Sequence, residues 1–187
     1  MGLTLHLDGA RIWNAHIASG VPLRDYAKHF DTVSVCLSKG LGAPVGSLLL
    51  STKQRIVGAR VWRKRYGAGM RQIGMLAAAG HFALDTNLAV IAEDHRRAKL
   101  LAAACFQVNK SIVNPNQVDT NIVFLDLHIS DVNAIEFAEM VKVDGVLISA
   151  LGPKMVRAVT HLDIDDKQIA YAAEIIKSTL ERAFVTK

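Results

Sequence analysis

The sequence predicts an α/β chain in two parts, and three features carry that expectation. Short apolar runs of strand length, residues 3–7, 32–38 and 45–51, alternate in the first part with helical stretches rich in alanine and leucine. Beyond Val108 the order becomes strand, helix, strand, strand, helix, the pattern of a small layered α+β domain. The last of these segments, Asp166–Phe184, repeats apolar residues at helical spacing through Ile169, Ala172, Ala173, Ile176, Leu180 and Ala183. The expected division is residues 1–92 as one domain and residues 93–187 as a linking helix with a small C-terminal domain.

Taken in order, the first strand ends at Asp8, and Gly9-Ala10-Arg11 turns the chain into a short helix through Ile12 and Ala15. The strand at 32–38 delivers Lys39 into a run punctuated by Gly40, Gly42, Pro44 and Gly46, after which the strand at 45–51 begins. Thr52 is suited to cap a basic helix reaching to about Tyr66, and Gly67 and Gly69 break it. Helices are expected over 71–84, with Ile73, Leu76, Ala77 and Gly80 on the packed face, and over 89–106. After the Asn114-Pro115-Asn116 loop come a strand at 120–127, a helix at 132–141, and strands at 145–150 and 155–160. The first part, with three strands and few covering helices, is expected to leave a sheet edge exposed.

Composition narrows the function. Of 187 residues, 51% are hydrophobic and 21% charged, which suits a globular chain with a sizeable core. No apolar run approaches the roughly 18 residues a membrane helix needs, so no membrane role is expected. The net charge of +5 is concentrated in Arg55, Arg60, Arg63, Lys64, Arg65 and Arg71. Such a cluster suits phosphates or other small anions; with Trp62 and Tyr66 as its one interleaved aromatic pair and no groove-reading pattern, nucleic acid is not the expected partner. Cys36 and Cys105 sit in apolar company without metal-ligand spacing, which points to core packing, a reducing compartment and no metal. No secretory or arginine-rich leader pattern opens the sequence, and a cytoplasmic location is expected, with the mitochondrion left open.

The candidate chemistry begins with Lys39. A side chain with about 2 kcal/mol of rotamer entropy and a hydrated charge is a costly choice at the end of an interior strand. Asp8 also arrives at a strand's carboxyl end, and in open α/β sheets those ends form the ligand crevice. Separately, Asp8 reads as a turn residue and Lys39 as a solvated loop lysine. Together they suit pyridoxal phosphate, whose aldehyde condenses with a lysine amine and whose ring nitrogen needs an acid partner.

The segments HLDGARIWNA, LSKG followed by GAPVGS, GAGMRQIGMLAAAG and VRAVTHLD resemble, in that order and at similar spacing, the low-specificity threonine aldolases, of the fold-type I pyridoxal phosphate superfamily. The resemblance runs from Leu5 to the final helix. It implies that residues 1–92 are the second half of the large cofactor-binding domain and that Lys39 takes the cofactor aldehyde. It also implies that Asp8 pairs with the ring nitrogen and Arg11 lies beside the ring oxygen. Arg157 matches the arginine for the substrate α-carboxylate, a role suited to its planar fork. Lys64 and Arg71 match positions that bear on the cofactor phosphate, in some cases from a neighbouring subunit. The implied substrate is a β-hydroxy amino acid, cleaved to glycine and an aldehyde, and the implied assembly is a homo-oligomer, a dimer of dimers. His161, His95, on a charged helical face, and His128, at a strand exit, are given no catalytic part, and Asn121 is read as structural. Two departures stand out: the family's chains are about twice as long, their other half supplying a phosphate loop and a ring-stacking histidine, and Ala68 replaces the middle of a triple glycine. The same residues therefore also admit a non-catalytic chain that associates with full-length aldolase subunits.

Overall fold

The structure is a computed structural model and describes residues 2–184. It divides into two compact units, the first ending at Ile91 and the second beginning at Ala92.

In the first unit β1 (His6–Gly9) lies parallel to β2 (Thr32–Cys36), and β2 lies antiparallel to β3 (Ser47–Ser51), giving the order β1-β2-β3. Between β1 and β2 run α1 (Ile12–Ser19) and a short α2 (Leu23–Ala27), the latter not visible in the sequence pattern. The first strand continues through Asp8 to Gly9, because a Cβ at Gly9 would stand 2.7 Å from the Ser34 carbonyl oxygen and glycine alone lets the strands approach. β2 stops at Cys36, two residues early, where the chain bends, and β3 starts only after Gly46, whose φ of 122° breaks the extended run.

Thr52 caps α3 (Lys53–Arg65) as the sequence predicts, its Oγ1 accepting from the Arg55 amide at 3.4 Å. α4 (Gly74–Thr86) begins three residues later than expected; Gln72, at φ 47°, turns the chain just before it. Its packed face is Gly80 and Ala83, whereas Ile73 and Ala77 are exposed. A 3₁₀ turn, Leu88–Val90, leads into α5 (Ile91–Val108). The unit has two small cores, one of Leu37, Leu41, Ala43, Ala83 and Ile91, the other of Ile12, Val33 and Val35. β3 belongs to neither: Leu48, Leu49 and Leu50 are 46%, 44% and 49% exposed, and α3 buries no residue.

The second unit is built on the antiparallel order β4-β6-β5, from β4 (Ile122–Asp126), β5 (Ser149–Ala150) and β6 (Met155–Val159). The predicted strand at 145–150 shrinks to two residues because Gly145, at φ 80°, closes the end of α6 (Ala134–Val143) and donates its amide to the Lys142 carbonyl at 2.9 Å. α6 opens on a capping box between Asn133 and Glu136. α7 (Asp166–Phe184) has the predicted limits and buries Ile169, Ile176 and Leu180 in one core with Val123, Phe137 and Val156; Ala183 is buried as well. His95 is buried, contrary to its expected place on a charged face. Among the described residues no single helix is long and apolar enough to cross a membrane.

Candidate active site

Asp8 and Lys39 come to one edge of the first sheet by topology. β1 and β2 are parallel neighbours with Asp8 opposite Ser34, so both strands finish at the same edge, Asp8 one residue before the end of β1 and Lys39 three residues past the end of β2. Neighbouring strands run about 5 Å apart, so the carboxyl ends of β1 and β2 are adjacent. Both residues are exposed. Asp8 does act as the turn residue its Gly neighbour suggested: Oδ1 accepts from the Ala10 amide at 3.1 Å. Its Oδ2 makes no hydrogen bond to any described residue, and neither does Lys39 Nζ. An amine and a carboxylate oxygen are thus both available at the edge where ligands of open α/β sheets bind.

Arg11, half-buried, is the residue just before α1 and its guanidinium has no acidic partner among the described residues. Lys64 lies in the last turn of α3, and Arg71 in the segment leading to α4; both are exposed, and neither is ion-paired among the described residues. A Cβ at Gly69 would meet Lys64 Cδ at 2.8 Å, so this glycine lets the loop fold back over the lysine stem. Ala68 is not among the described residues with positive φ, so its methyl is accommodated; the left-handed turn falls on Gly67, at φ 78°. The one described non-glycine with positive φ is Gln72, next to Arg71, a strained position that no sequence pattern announced.

Arg157 belongs to the second unit, in the central strand β6, opposite Phe124 on one side and Ser149 on the other. Its Nε is shielded from solvent, and among the described residues it has no hydrogen-bond partner and no acidic residue pairs with it. A buried, unsatisfied guanidinium donor costs about 1–3 kcal/mol or more, so the arrangement makes sense when an anion completes it. Around the end of the same strand, Asn121 Nδ2 donates to the Thr160 carbonyl at 2.7 Å, and Thr160 Oγ1 donates to the Asp94 carbonyl at 2.6 Å. The Asn121 amide nitrogen is thus engaged within the strand end, while its Oδ1 is buried with no hydrogen-bond partner among the described residues. His161 is exposed and 3.4 Å from Asp163, and His128 contacts Asp126.

Residues 1–128 match the model of the beta-eliminating lyase family. The chain belongs to that family. The enzymes of the family work through pyridoxal phosphate. The low specificity L-threonine aldolase of Escherichia coli strain K12 is 43% identical over 180 residues, covering 96% of this chain and 52% of that protein. Low-specificity L-threonine aldolase 1 of Arabidopsis thaliana is 40% identical over 180 residues, covering 96% and 50%. Among solved structures, a Leishmania major threonine aldolase superposes with TM-score 0.74 at 21% identity, over 95% of this chain and 52% of that one. A ureidoglycine-glyoxylate aminotransferase from Bacillus subtilis gives 0.67 at 13% identity over 98% and 54%. The α/β fold of the fold-type I pyridoxal phosphate enzymes and the resemblance read in the sequence are both borne out, and the chain spans about half the length of the relatives it matches.

The residues present fit the cofactor on the structure's own terms. The edge bearing Lys39 and Asp8 offers an amine and a carboxylate oxygen that no described residue engages, which suits the aldehyde and the ring nitrogen of that cofactor. The sequence reading missed the side chains behind this edge. Trp13 Nε1 donates to the Cys36 carbonyl at 2.8 Å, Asn87 Nδ2 donates to the Leu41 carbonyl at 2.8 Å, and Asn14, fully buried, lies against Gly40. An asparagine beside Ile12 and Trp13 on an apolar helix was the available signal.

Proposed function

We propose that this chain carries the lysine, the acid and the carboxylate-binding arginine of a pyridoxal phosphate-dependent aldehyde-lyase that cleaves L-threonine and L-allo-threonine to glycine and acetaldehyde. The observation that carries the reading is the parallel pairing of β1 with β2, which brings Asp8 and Lys39 to one sheet edge. The first unit is then the later half of a cofactor domain and the second the small substrate-side domain. This reading calls for no metal or nucleic-acid partner, and it includes the homo-oligomer that the resemblance implies.

Lys39 Nζ would hold the cofactor by its aldehyde carbon, Asp8 would keep a proton on the ring nitrogen, and Arg11 would sit beside the ring oxygen. Lys64 and Arg71 would take the phosphate. Arg157 would grip the substrate α-carboxylate through two parallel N–H donors, which fixes the amino acid's orientation. When bound, pyridoxal phosphate supplies the electron sink for the charge left on Cα as the Cα–Cβ bond breaks. The substrate hydroxyl gives up its proton as acetaldehyde leaves, and Cα regains one to form glycine.

The test is borohydride reduction of the chain with pyridoxal phosphate, then peptide mapping. A pyridoxyl label concentrated on Lys39 is expected; label spread over many lysines, or absent from Lys39, refutes the assignment. In a full-length setting Arg157→Lys should weaken amino-acid binding by roughly 1.5–3 kcal/mol while leaving cofactor binding unchanged, the scale of one charged hydrogen bond. Equal weakening of both would remove Arg157 from its role.

A second reading has its own observation. Leu48, Leu49 and Leu50 of β3 are nearly half exposed, and the strand lies at the sheet's edge. Such an edge suits a chain that works only when another polypeptide covers it, including a full-length aldolase subunit. Release of glycine and acetaldehyde from threonine, measured with and without an added full-length subunit, separates the readings. Turnover by the chain alone at about 1 per second or faster selects the first.

A further inference from the structure

The turn that bears Lys39 is an exposed lysine on a buried base. Leu37, Gly40, Leu41 and Ala43 are buried while Ser38 and Lys39 face solvent. Its backbone is internally tied, the Gly42 amide donating to the Lys39 carbonyl at 2.8 Å, the Ala43 amide to Leu37 at 3.0 Å and the Leu37 amide to Gly46 at 2.9 Å. Those bonds shape the turn, and its base packs in the core through Leu37, Leu41 and Ala43. Two polar side chains also reach its backbone, one from α1 and one from just past the end of α4.

On one side, Asn87 at the end of α4 donates its amide to the Leu41 carbonyl at 2.8 Å, satisfying a buried acceptor that would otherwise be a liability. On the other, Asn14 of α1 is 1% exposed, and a Cβ on Gly40 would lie 3.0 Å from its Oδ1, 3.5 Å from Nδ2 and 3.6 Å from Cγ. The whole amide therefore lies against the Gly40 Cα, one residue from Lys39. An aliphatic residue would fill that volume without the cost of desolvating an amide, so packing alone does not account for an asparagine. Asn14 is also on the helix that follows Asp8 and Arg11 directly, so one rigid element touches the supports of the acid, the arginine and the lysine.

We infer that Asn14 and Asn87 are positioning residues that hold the Lys39 turn from two sides and present Nζ at the sheet edge next to Asp8. The inference rests on the proposed role of Lys39. The amine has to meet an aldehyde carbon along a defined direction, and a turn free to swing would lose that alignment while leaving the lysine in place.

The experiment is reductive pyridoxylation of the wild-type chain, Asn14→Ala, Asn87→Ala and Gly40→Ala, followed as the rate of label incorporation at Lys39 across pH and its share of all labelled lysines, with a thermal melt for each protein. The rate at Lys39 should fall by about tenfold or more in each variant, and the label should spread to other lysines at temperatures where the variant is still folded. A role in stability alone would lower the melting temperature without changing the share or pH profile at Lys39, and that result in a folded variant overturns the inference. If Asn14→Ala does not fold, the half-buried Asn87 decides through Asn87→Ala. Absence of a Lys39 label in the wild-type chain would instead reject the reading on which the inference stands.

Discussion

The second unit closes on itself and the first does not. In the second, residues from α5, β4, α6, β6 and α7 form one continuous core in which Val123, Leu125, Phe137, Val156, Ile176 and Leu180 are fully buried. In the first, the core is split in two, and apolar side chains go outward instead: Leu48, Leu49 and Leu50 on β3, Val57, Val61 and Trp62 on α3. Five of the six candidate site residues, Asp8, Arg11, Lys39, Lys64 and Arg71, lie in this open unit, and Arg157 alone lies in the closed one. The contrast teaches that the edge proposed to carry the chemistry lies on the part of the chain with the least core of its own. Its geometry then depends on specific polar ties such as Trp13 to Cys36 and Asn87 to Leu41.

The largest test of that contrast is core truncation. Phe137→Ala should cost about 3–5 kcal/mol, as for a fully buried aromatic, whereas Leu49→Ala should fall within about 0.5 kcal/mol of the parent. Urea unfolding followed by far-ultraviolet circular dichroism measures both. Comparable losses would mean that β3 is covered in solution, and the comparison would fail.

A second test asks what the outward apolar face does. Leu48→Lys with Leu50→Lys places charge on an edge strand, a device that blocks edge pairing. Sedimentation velocity over a concentration series should show the parent chain associating and the double variant doing so less. An unchanged distribution would show that β3 is not the sticky surface.

Much of this was legible in the sequence, for physical reasons. Residues that obey a simple period gave the limits of α7 and the buried stripe from Ile169 to Ala183, and Thr52 announced α3 because a cap is a local property. The proposed site residues stand at motif positions, Asp8 and Lys39 at strand ends, but the shared edge of β1 and β2 depends on which strands pair and in which direction, a tertiary fact. Errors fell where a single backbone angle overrides a pattern: Gly46 delays β3, Gln72 delays α4, and Gly145 reduces a predicted strand to Ser149–Ala150. His95 was misjudged for another reason. Its polarity suggests a solvated face, while its neighbours in space, which no local pattern contains, bury it, as they do Asn14.

A smaller effect is expected inside the closed unit. The Asp94 side chain is 1% exposed, neither carboxylate oxygen has a hydrogen bond, and its nearest cation is Arg97 at 3.9 Å. Burial pushes its carboxyl above the usual carboxylate range; Arg97 and His161 pull it down, and Asp163 and Glu93 add to the rise. The folded chain therefore keeps this proton to a higher pH than the unfolded chain. That contribution favours folding fully below the unfolded value and is lost as pH rises through the folded one. Asp94→Asn should raise the melting temperature by a few degrees at about pH 7, and the gain should shrink toward about pH 4, where the parent is itself protonated. An equal gain at both pH values would show that charge burial is not the cause.

The smallest effect compares the two thiols, one in each unit. Cys105 is wholly buried in the second core, and burial pushes its thiol up to about 12. At about pH 8 that leaves roughly one molecule in ten thousand as thiolate, the form that attacks an alkylating reagent, and the reagent must also reach it. Cys36 ends β2 in the first unit, is only half-buried, and its Sγ accepts a hydrogen bond from Ser47 Oγ at 3.5 Å. Iodoacetamide followed by peptide mass spectrometry should therefore modify Cys36 in the folded chain and leave Cys105 untouched until urea unfolds the second unit. Because Cys36 lies at the foot of the turn that bears Lys39, its rate of alkylation also reports how firmly that turn is held. Early modification of Cys105 would mean that the second core opens as readily as the first, and the distinction between a closed unit and an open one would have to be given up.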